Sequence, residues 1–407
     1  MKFTTIFAKT KYVFFMREFK TNFKDGTGEL NIQYEGTAGT TEAQVASDCN
    51  CGEDRTVRVN LATDGGGASK TVTVNQEGVR EQFIPADQTE GIRGSDGELF
   101  LGIKEKFTDA VPDCCKPKEP CIYTTTKANQ SVKIINKKEY AKRIYLEDGT
   151  ELDVSGTGEL IYTFPEIGEH KVWVILNTAV TNFRYCFYGC SGLTTIPVNL
   201  FVNNTAVTNF SSCFRGCSGL TSIPANLFAT NTAVTNFSYC FYGCSGLTSI
   251  PENLFATNVA VTDLRYCFSG CSGLTSIPEN LFAANTAVTN FTFCFHSCSG
   301  LTSIPENLFA ANTAVTNFSG CFYGCSGLTS IPENLFANNT AVTSFGSCFY
   351  GCTNLSSSCP IDNDGTPIYN RSGNGKEGYA VVGSYRSCFS DCTKMADYAS
   401  IPSGWKQ

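Results

Sequence analysis

Apolar residues follow two different periods along this chain. Through "ELNIQYEG", "RTVRVNLAT" and "KTVTVNQEG", within residues 26–85, apolar and polar positions alternate, and Gly65-Gly66-Gly67 separates two of the runs. Alternation puts one face of a strand in a core and the other in solvent, so this stretch predicts a small antiparallel β-sandwich. Residues 86–110 read as a loop and amphipathic material that complete the module at 26–110. "VPDCCKPKEPC", residues 111–121, reads as a Cys/Pro linker. A second alternating stretch, residues 122–176, carries Asp148-Gly149 as a hairpin turn and predicts another small β module. Its last strand is expected to cover the first of the repeats that follow.

At Asn177 the period lengthens to 27 residues. Asn-x-Ala-Val recurs at Asn177, Asn204, Asn231, Asn258, Asn285, Asn312 and Asn339. Within one unit the apolar positions are Val207, Phe210, Cys213 with Phe214, Cys217, Leu220, Ile223 and Leu227 with Phe228. Gly219 and Pro224 interrupt this run and exclude one long helix. A coil of short strands and turns fits: Val207–Phe210 and Leu220–Ile223 are the expected strands, and Asn226–Phe228 is an irregular return. Stacking of equivalent residues between successive units would merge apolar positions into continuous columns, as in a solenoid. Seven units, the last partial, occupy 177–355, and 356–407 reads as a degenerate unit and C-terminal cap.

Composition narrows the class further. The charged fraction is 16% with 37 glycines and 12% aromatics in 407 residues, the balance of a β-rich or repetitive protein. A net charge of −7 argues against a nucleic-acid partner. No run of eighteen apolar residues occurs, so no membrane span is expected. Residues 1–25 combine basic residues with an apolar run broken by Lys9 and Lys11, and no small-residue cleavage site follows. They are expected to be a leader or a mis-called start, with Met16 as the alternative start.

"CFYGCSGLTSIP", at residues 240–251 and repeated up and down the chain, resembles the core of BspA-like leucine-rich repeats. The resemblance covers roughly 177–407. It implies a leucine-rich-repeat solenoid and a place among surface proteins of gut and oral bacteria or of their phages. The chain departs from that family in its 27-residue period and in having cysteine at positions such as Cys213, where the family has alanine. "RTVRV" followed by "KTVTVNQEG" is similar to the ending of BACON domains, an immunoglobulin-like module linked to carbohydrate binding.

Cysteines recur as C-x-x-x-C pairs: 186/190, 213/217, 240/244, 267/271, 294/298, 321/325 and 348/352, then 388/392. The spacing is not that of zinc ribbons, and the chain has only two histidines, His170 and His296. No metal or other cofactor is expected. Buried thiols, acting as small apolar side chains, are the preferred reading; disulfides within or between units are the alternative. Asp362-Asn363-Asp364-Gly365 resembles part of a calcium loop without its later ligands and reads as a polar turn. Glu252, Glu279, Glu306 and Glu333 read as a solvated acidic column. No Ser-His-Asp or Cys-His arrangement recurs.

Variation among the units points to a surface. The two residues before each first cysteine, and the one after the following Phe, change from copy to copy, while apolar positions hardly change. Arg184, Tyr185, Tyr188, Arg215, Tyr239, Tyr242, Arg265, Tyr266, Phe293, His296, Tyr323 and Tyr350 occupy these positions. Drift at exposed sites would also produce variation. Tyr and Arg, however, are the residues that anchor interfaces, and tyrosine faces also suit sugar rings. The sequence is therefore read as a mainly β, non-enzymatic binding or adhesion protein with N-terminal immunoglobulin-like β modules and a leucine-rich-repeat solenoid. Its expected partner is a host or target surface protein or glycan, and its expected location a cell surface, the extracellular space or a phage virion, where it could assemble into a larger structure. The alternatives are a structural spacer or virion decoration protein whose N-terminal module binds, and a repeat-bearing hydrolase, for which no stretch remains to hold a catalytic domain.

Overall fold

The computed structural model describes residues 119–371 and 377–407, together with eight strands in the residues before 119. The described residues are mainly β and turn; the one α-helix among them spans Ser403–Lys406, and no sheet closes into a barrel. By internal contacts the chain forms two units, residues 1–118 with 148–150, and residues 119–147 with 151–407.

In the first unit the strands are β1 (Ala8–Lys9), β2 (Thr21–Lys24), β3 (Thr27–Tyr34), β4 (Glu42–Ala43), β5 (Arg55–Thr63), β6 (Ser69–Gln76), β7 (Arg93–Gly94) and β8 (Gly97–Glu98). Four of them form one sheet in the order β2-β3-β5-β6. The three longest are the runs whose alternation marks them as strands. The sheet is not purely antiparallel, as the alternation alone suggested. β3 and β5 run parallel, from Gly28 opposite Val57 to Tyr34 opposite Thr63, while β5 and β6 form an antiparallel hairpin. A parallel pair needs a long connection, and in the sequence twenty residues, 35–54, separate β3 from β5. Cys49, Cys51, Cys114 and Cys115 lie outside the described residues.

In the second unit, β9 (Cys121–Thr125), β10 (Gln130–Ile135), β11 (Ala141–Leu146), β12 (Glu151–Leu152), β13 (Leu160–Phe164) and β14 (Gly168–Leu176) precede the repeats. Cys121, at the end of the expected linker, opens β9 and is buried. The hairpin at Asp148-Gly149 joins β11 to β12, with Gly149 at φ 89°. The first repeat adds β15 (Leu193–Thr195), and the sheet order is β12-β11-β14-β9-β15. The strand abutting the first repeat is therefore β9 rather than the last strand, β14, which lies between β11 and β9. The end of β10 helps to cover the same face, where Asn136 N–H donates to Cys186 O at 2.7 Å.

From Phe183 on, each 27-residue copy lies against the next. The N–H groups of Phe183, Tyr185, Phe187 and Gly189 donate to the carbonyls of Asn209, Ser211, Cys213 and Arg215 in the following copy, at 2.7–3.2 Å. Those of Cys186, Tyr188 and Cys190 turn back to Phe183, Tyr185 and Phe187 of their own copy. With Arg184 N–H donating to Asn182 Oδ1 at 3.0 Å, every backbone donor from Phe183 to Cys190 is satisfied, as the cost of an unpaired amide requires. The alternation also limits regular strand. The expected strand at Val207–Phe210 contracts to a single parallel bridge per copy, Asn182 with Asn209 and so on to Ser344 with Ser384. Beyond the first copy, Leu220–Ile223 forms no strand; Thr221 N–H donates to Thr194 O at 3.3 Å. Between these two segments, residues 212 and 216 sit at φ 57° and 76°, which turns the chain twice within five residues.

Phenylalanine, asparagine and cysteine each form side-chain columns in the interior. Phe187, Phe214, Phe241, Phe268, Phe295, Phe322, Phe349 and Phe389 stack with ring centres 5.3–5.6 Å apart and planes within 8°. Asn231, Asn258, Asn285, Asn312 and Asn339 are fully buried, and each side-chain amide donates to two carbonyls of the copy before it; Asn258 reaches Asn231 O at 2.9 Å and Phe228 O at 3.2 Å. The second cysteine of each pair forms a column as well. Cys217 Sγ donates to Phe187 O at 3.1 Å, and Cys244, Cys271, Cys298, Cys325 and Cys352 repeat the bond one copy further on.

Candidate functional site

The variable positions are the first left-handed residue of each copy, the residue before it, and one inside the turn that leads to the second left-handed residue. Asn182, Asn209, Asn236, Asp263, Asn290 and Asn317 use a side-chain oxygen to accept the N–H two residues on, at 2.7–3.0 Å. Such a turn fixes the direction of the next two residues. The residue before each first cysteine then adopts positive φ: Tyr185 63°, Ser212 57°, Tyr239 58°, Tyr266 56°, Phe293 54°, Gly320 60°, Ser347 54° and Ser387 57°. Left-handed backbone costs a residue with a side chain about 1–2 kcal/mol, and glycine avoids the cost. Four of these eight positions nevertheless hold a large aromatic.

The geometry joins the sequence candidates into one strip. Tyr239 and Tyr266 stack at 4.5 Å and 8°, Tyr266 and Phe293 at 4.9 Å and 21°. The Phe293 ring then lies over Gly320, where a Cβ would meet it at 2.2 Å. His296 carries the strip on, 5.4 Å from Phe293 and 5.1 Å from Tyr323, and Tyr323 stacks on Tyr350 at 4.6 Å. Tyr185 meets Tyr188 edge-on at 5.6 Å. Arg184, Tyr188 and Arg265 are exposed, and the other nine candidates are half-buried.

Arg215 bridges Tyr188 to the Tyr239–Tyr242 pair. Its guanidinium lies 4.6 Å from the ring centre of Tyr242, 5.4 Å from Tyr239 and 5.8 Å from Tyr188. Arg184 sits 4.7 Å over Tyr185 and donates to its hydroxyl at 2.9 Å. Arg265 is paired with Asp263, Nη2 to Oδ2 at 2.7 Å, which raises its pKa further. Among the described residues no carboxylate forms an ion pair with Arg184 or Arg215. A cavity of about 430 Å³ opens between these arginines, lined also by Tyr185, Tyr239, Asn209, Asn236, Ser211, Ser212 and Ser238.

The other sequence features resolve into structure. All cysteines among the described residues are unpaired and buried. Burial pushes their thiols up, Cys121 and Cys392 from 9.0 to about 12. Among the described residues no group of three or more His, Cys, Asp or Glu is placed to hold a metal ion. Asp362, first residue of the calcium-like turn, is fully buried against Arg371. Glu252, Glu279, Glu306 and Glu333 are exposed, and Glu279 accepts from Asn307 at 3.0 Å. His170 stacks on Phe164 at 4.0 Å and bonds Thr125 Oγ1 at 2.9 Å. Burial lowers the pKa of His296, whose Nδ1 lies 3.1 Å from Ser269 Oγ.

Two features of the site escape the sequence pattern. The left-handed column leaves no trace, because tyrosine at such a position contradicts the usual Gly or Asn signal. The amides of Asn209 and Asn236, whose oxygens are spent on turns, line the cavity as donors; their place beside a variable pair was the available clue.

No helix of the described residues is long and apolar enough to cross a membrane. No protein-family model matches the chain, and no curated protein matches it. Among solved structures it matches a chain of the Toll–Spatzle complex, described as a molecular hub in Drosophila development and innate immunity, at 14% identity. The match covers 42% of this chain and 35% of that one, so the chain spans about a third of the length of its match; the TM-score of 0.13 carries no argument about fold or function.

Proposed function

We propose that this chain is a non-enzymatic recognition protein, a BspA-like leucine-rich-repeat solenoid that binds a surface protein or glycan along the strip from Tyr185 to Tyr350. One observation carries the reading. Tyr185, Tyr239, Tyr266 and Phe293 are large aromatics held at positive φ, where glycine would cost less, and Gly320 occupies the same position in another copy. Bulky residues kept against a backbone penalty mark sites where the side chain serves something other than the fold. Partly exposed Tyr and Arg at such a site supply interface anchors. Display on a bacterial surface or a phage virion belongs to the same proposal, as does the division into N-terminal modules, repeats and cap.

The test is an array of glycans and extracellular proteins probed with the full chain and with the Tyr239→Ala/Tyr242→Ala double variant. The wild type is expected to bind a restricted set of spots and the double variant to lose them, with circular dichroism unchanged. A double variant that binds like the wild type would remove the strip from recognition. The repeats would then be a spacer.

A further inference from the structure

Ser212 interrupts the aromatic column between Tyr185 and Tyr239, one copy away on either side, and the cavity opens at this place. Neighbouring rings further along the column stack at 4.5 and 4.9 Å. Two copies therefore separate Tyr185 from Tyr239 by roughly 9–10 Å at strand spacing. A ring in van der Waals contact with both walls needs about 7–8 Å. At that spacing the gap is one ring wide, with the Arg184 guanidinium 4.7 Å from the Tyr185 ring centre and the Arg215 guanidinium 5.4 Å from that of Tyr239, so a ligand ring entering it would share these walls with the two arginines.

The polar groups around the gap select its charge. The chain as a whole carries −7, yet Arg184, Arg215 and Arg265 line the cavity and no Asp or Glu does. With Arg265 occupied by Asp263, Arg184 and Arg215 remain for a ligand anion. Arg215 already rests on the faces of Tyr188, Tyr239 and Tyr242, which hold a cation without neutralising it. Guanidinium is also the group that bonds carboxylate with two parallel N–H donors. The cavity is also lined by Asn209 and Asn236, whose amides can donate, and by the hydroxyls of Ser211 and Ser212, while Ser238 Oγ already donates to Asn236 Oδ1 at 2.7 Å and can only accept. A ligand with one anionic group, several hydroxyls and a ring satisfies all three features.

We infer that the slot at Ser212 binds a carboxylate-bearing sugar, its ring between Tyr185 and Tyr239 and its carboxylate on Arg184 and Arg215. The cavity volume of about 430 Å³ lies within the range of roughly 300–1,000 Å³ typical of small-molecule sites. An anionic aromatic, such as sulfotyrosine or phosphotyrosine, would meet the arginines but leave the Asn and Ser donors without partners, and so fits less well. This inference rests on the reading of the strip as a recognition surface.

The test is calorimetric titration of the full chain with a uronic-acid disaccharide, with sialyllactose, with lactose as the neutral counterpart, and with sulfotyrosine and phosphotyrosine. At least one of the two acidic sugars should bind tenfold or more tightly than lactose, and the one that does identifies the source. Ser212→Tyr, which inserts the missing ring, should abolish that binding. Should this variant fail to fold, Arg215→Gln, at a half-exposed position, should still weaken it at least tenfold. Raising the salt from 50 to 500 mM should weaken wild-type binding. Lactose bound as tightly as the acidic sugars, preference for sulfotyrosine or phosphotyrosine, or unchanged affinity in Arg215→Gln would overturn the inference. A restricted array profile that is lost in Tyr239→Ala/Tyr242→Ala, but contains no acidic sugar, would overturn this inference while leaving the strip as the recognition surface.

Discussion

Arg371 takes over at Asn339 the task that each buried asparagine performs for the copy before it. Its guanidinium donates to Asn339 O at 3.1 Å and to Phe336 O at 2.9 Å, the two carbonyls that a further asparagine would have bonded. Asp362, equally buried, balances the charge through Arg371 Nε at 2.9 Å. Trp405 closes the neighbouring phenylalanine column, its ring 6.2 Å from Phe389 and its carbonyl accepting Phe389 N–H at 2.8 Å.

Removing that arginine should open the array from its C-terminal end. Arg371→Met takes the guanidinium from a buried carboxylate and from two carbonyls, a loss expected to reach about 3–5 kcal/mol. Stacked repeats transmit such a loss mainly to their neighbours. Hydrogen exchange should therefore speed up in the copies near Asn339 and hardly at all near Asn204. Uniform acceleration along the array, or none, would show that Arg371 does not terminate the ladder.

The thiols should be inert and should tie stability to pH. At pH 8 the array cysteines of the native protein should resist a thiol reagent and become titratable on unfolding without reductant. Cys121 and Cys392 ionise near 9.0 when exposed and near 12 when folded. A raised folded pKa gives stability that is complete below pH 9 and declines as pH rises toward 12. Denaturation midpoints should accordingly be flat from pH 7 to 8.5 and fall steeply above pH 9.5. Rapid labelling of native protein at pH 8 would contradict the burial of these groups.

Two glycines one turn apart should respond differently to alanine. A Cβ on Gly246 would sit 2.6 Å from Ser218 O and 3.2 Å from Leu220 O, both backbone atoms of the copy before. Gly246→Ala should therefore force the copies apart, at about 1–3 kcal/mol or more. Gly243, at φ 71° with 3.8 Å of room, should lose only the left-handed allowance, roughly 1 kcal/mol. Leu247→Ala, a fully buried truncation, should cost about 2–5 kcal/mol. Thermal melts of the three variants give the order directly, and a Gly243 variant less stable than the Gly246 one would reverse the packing assignment.

The 27-residue period made much of this legible. Val207, Phe210, Phe214, Leu220, Ile223, Leu227 and Phe228 are buried where their spacing placed them. Local conformation was less visible. Apolar spacing reports which residues face inward but not the sign of φ, so the two left-handed turns at 212 and 216, between the expected strands, went unread. The Arg371 cap was hidden for another reason: it replaces an asparagine by function, from a segment outside the period. At the variable strip, sequence variation located the surface, whereas the Ser212 gap depends on the stacking of neighbouring copies.

The most direct measurement replaces Tyr239 by glycine and reads melting temperature and ligand binding on the same sample. If the aromatic column exists for recognition, Tyr239→Gly relieves the backbone penalty, as Gly320 does in its own copy, and offsets the lost stacking on Tyr266. The melting temperature should stay within a degree or two of wild type or rise, while binding to the wild-type ligand falls at least thirtyfold, about 2 kcal/mol. A variant that melts several degrees lower yet binds as well as wild type would make Tyr239 a structural residue and contradict the account.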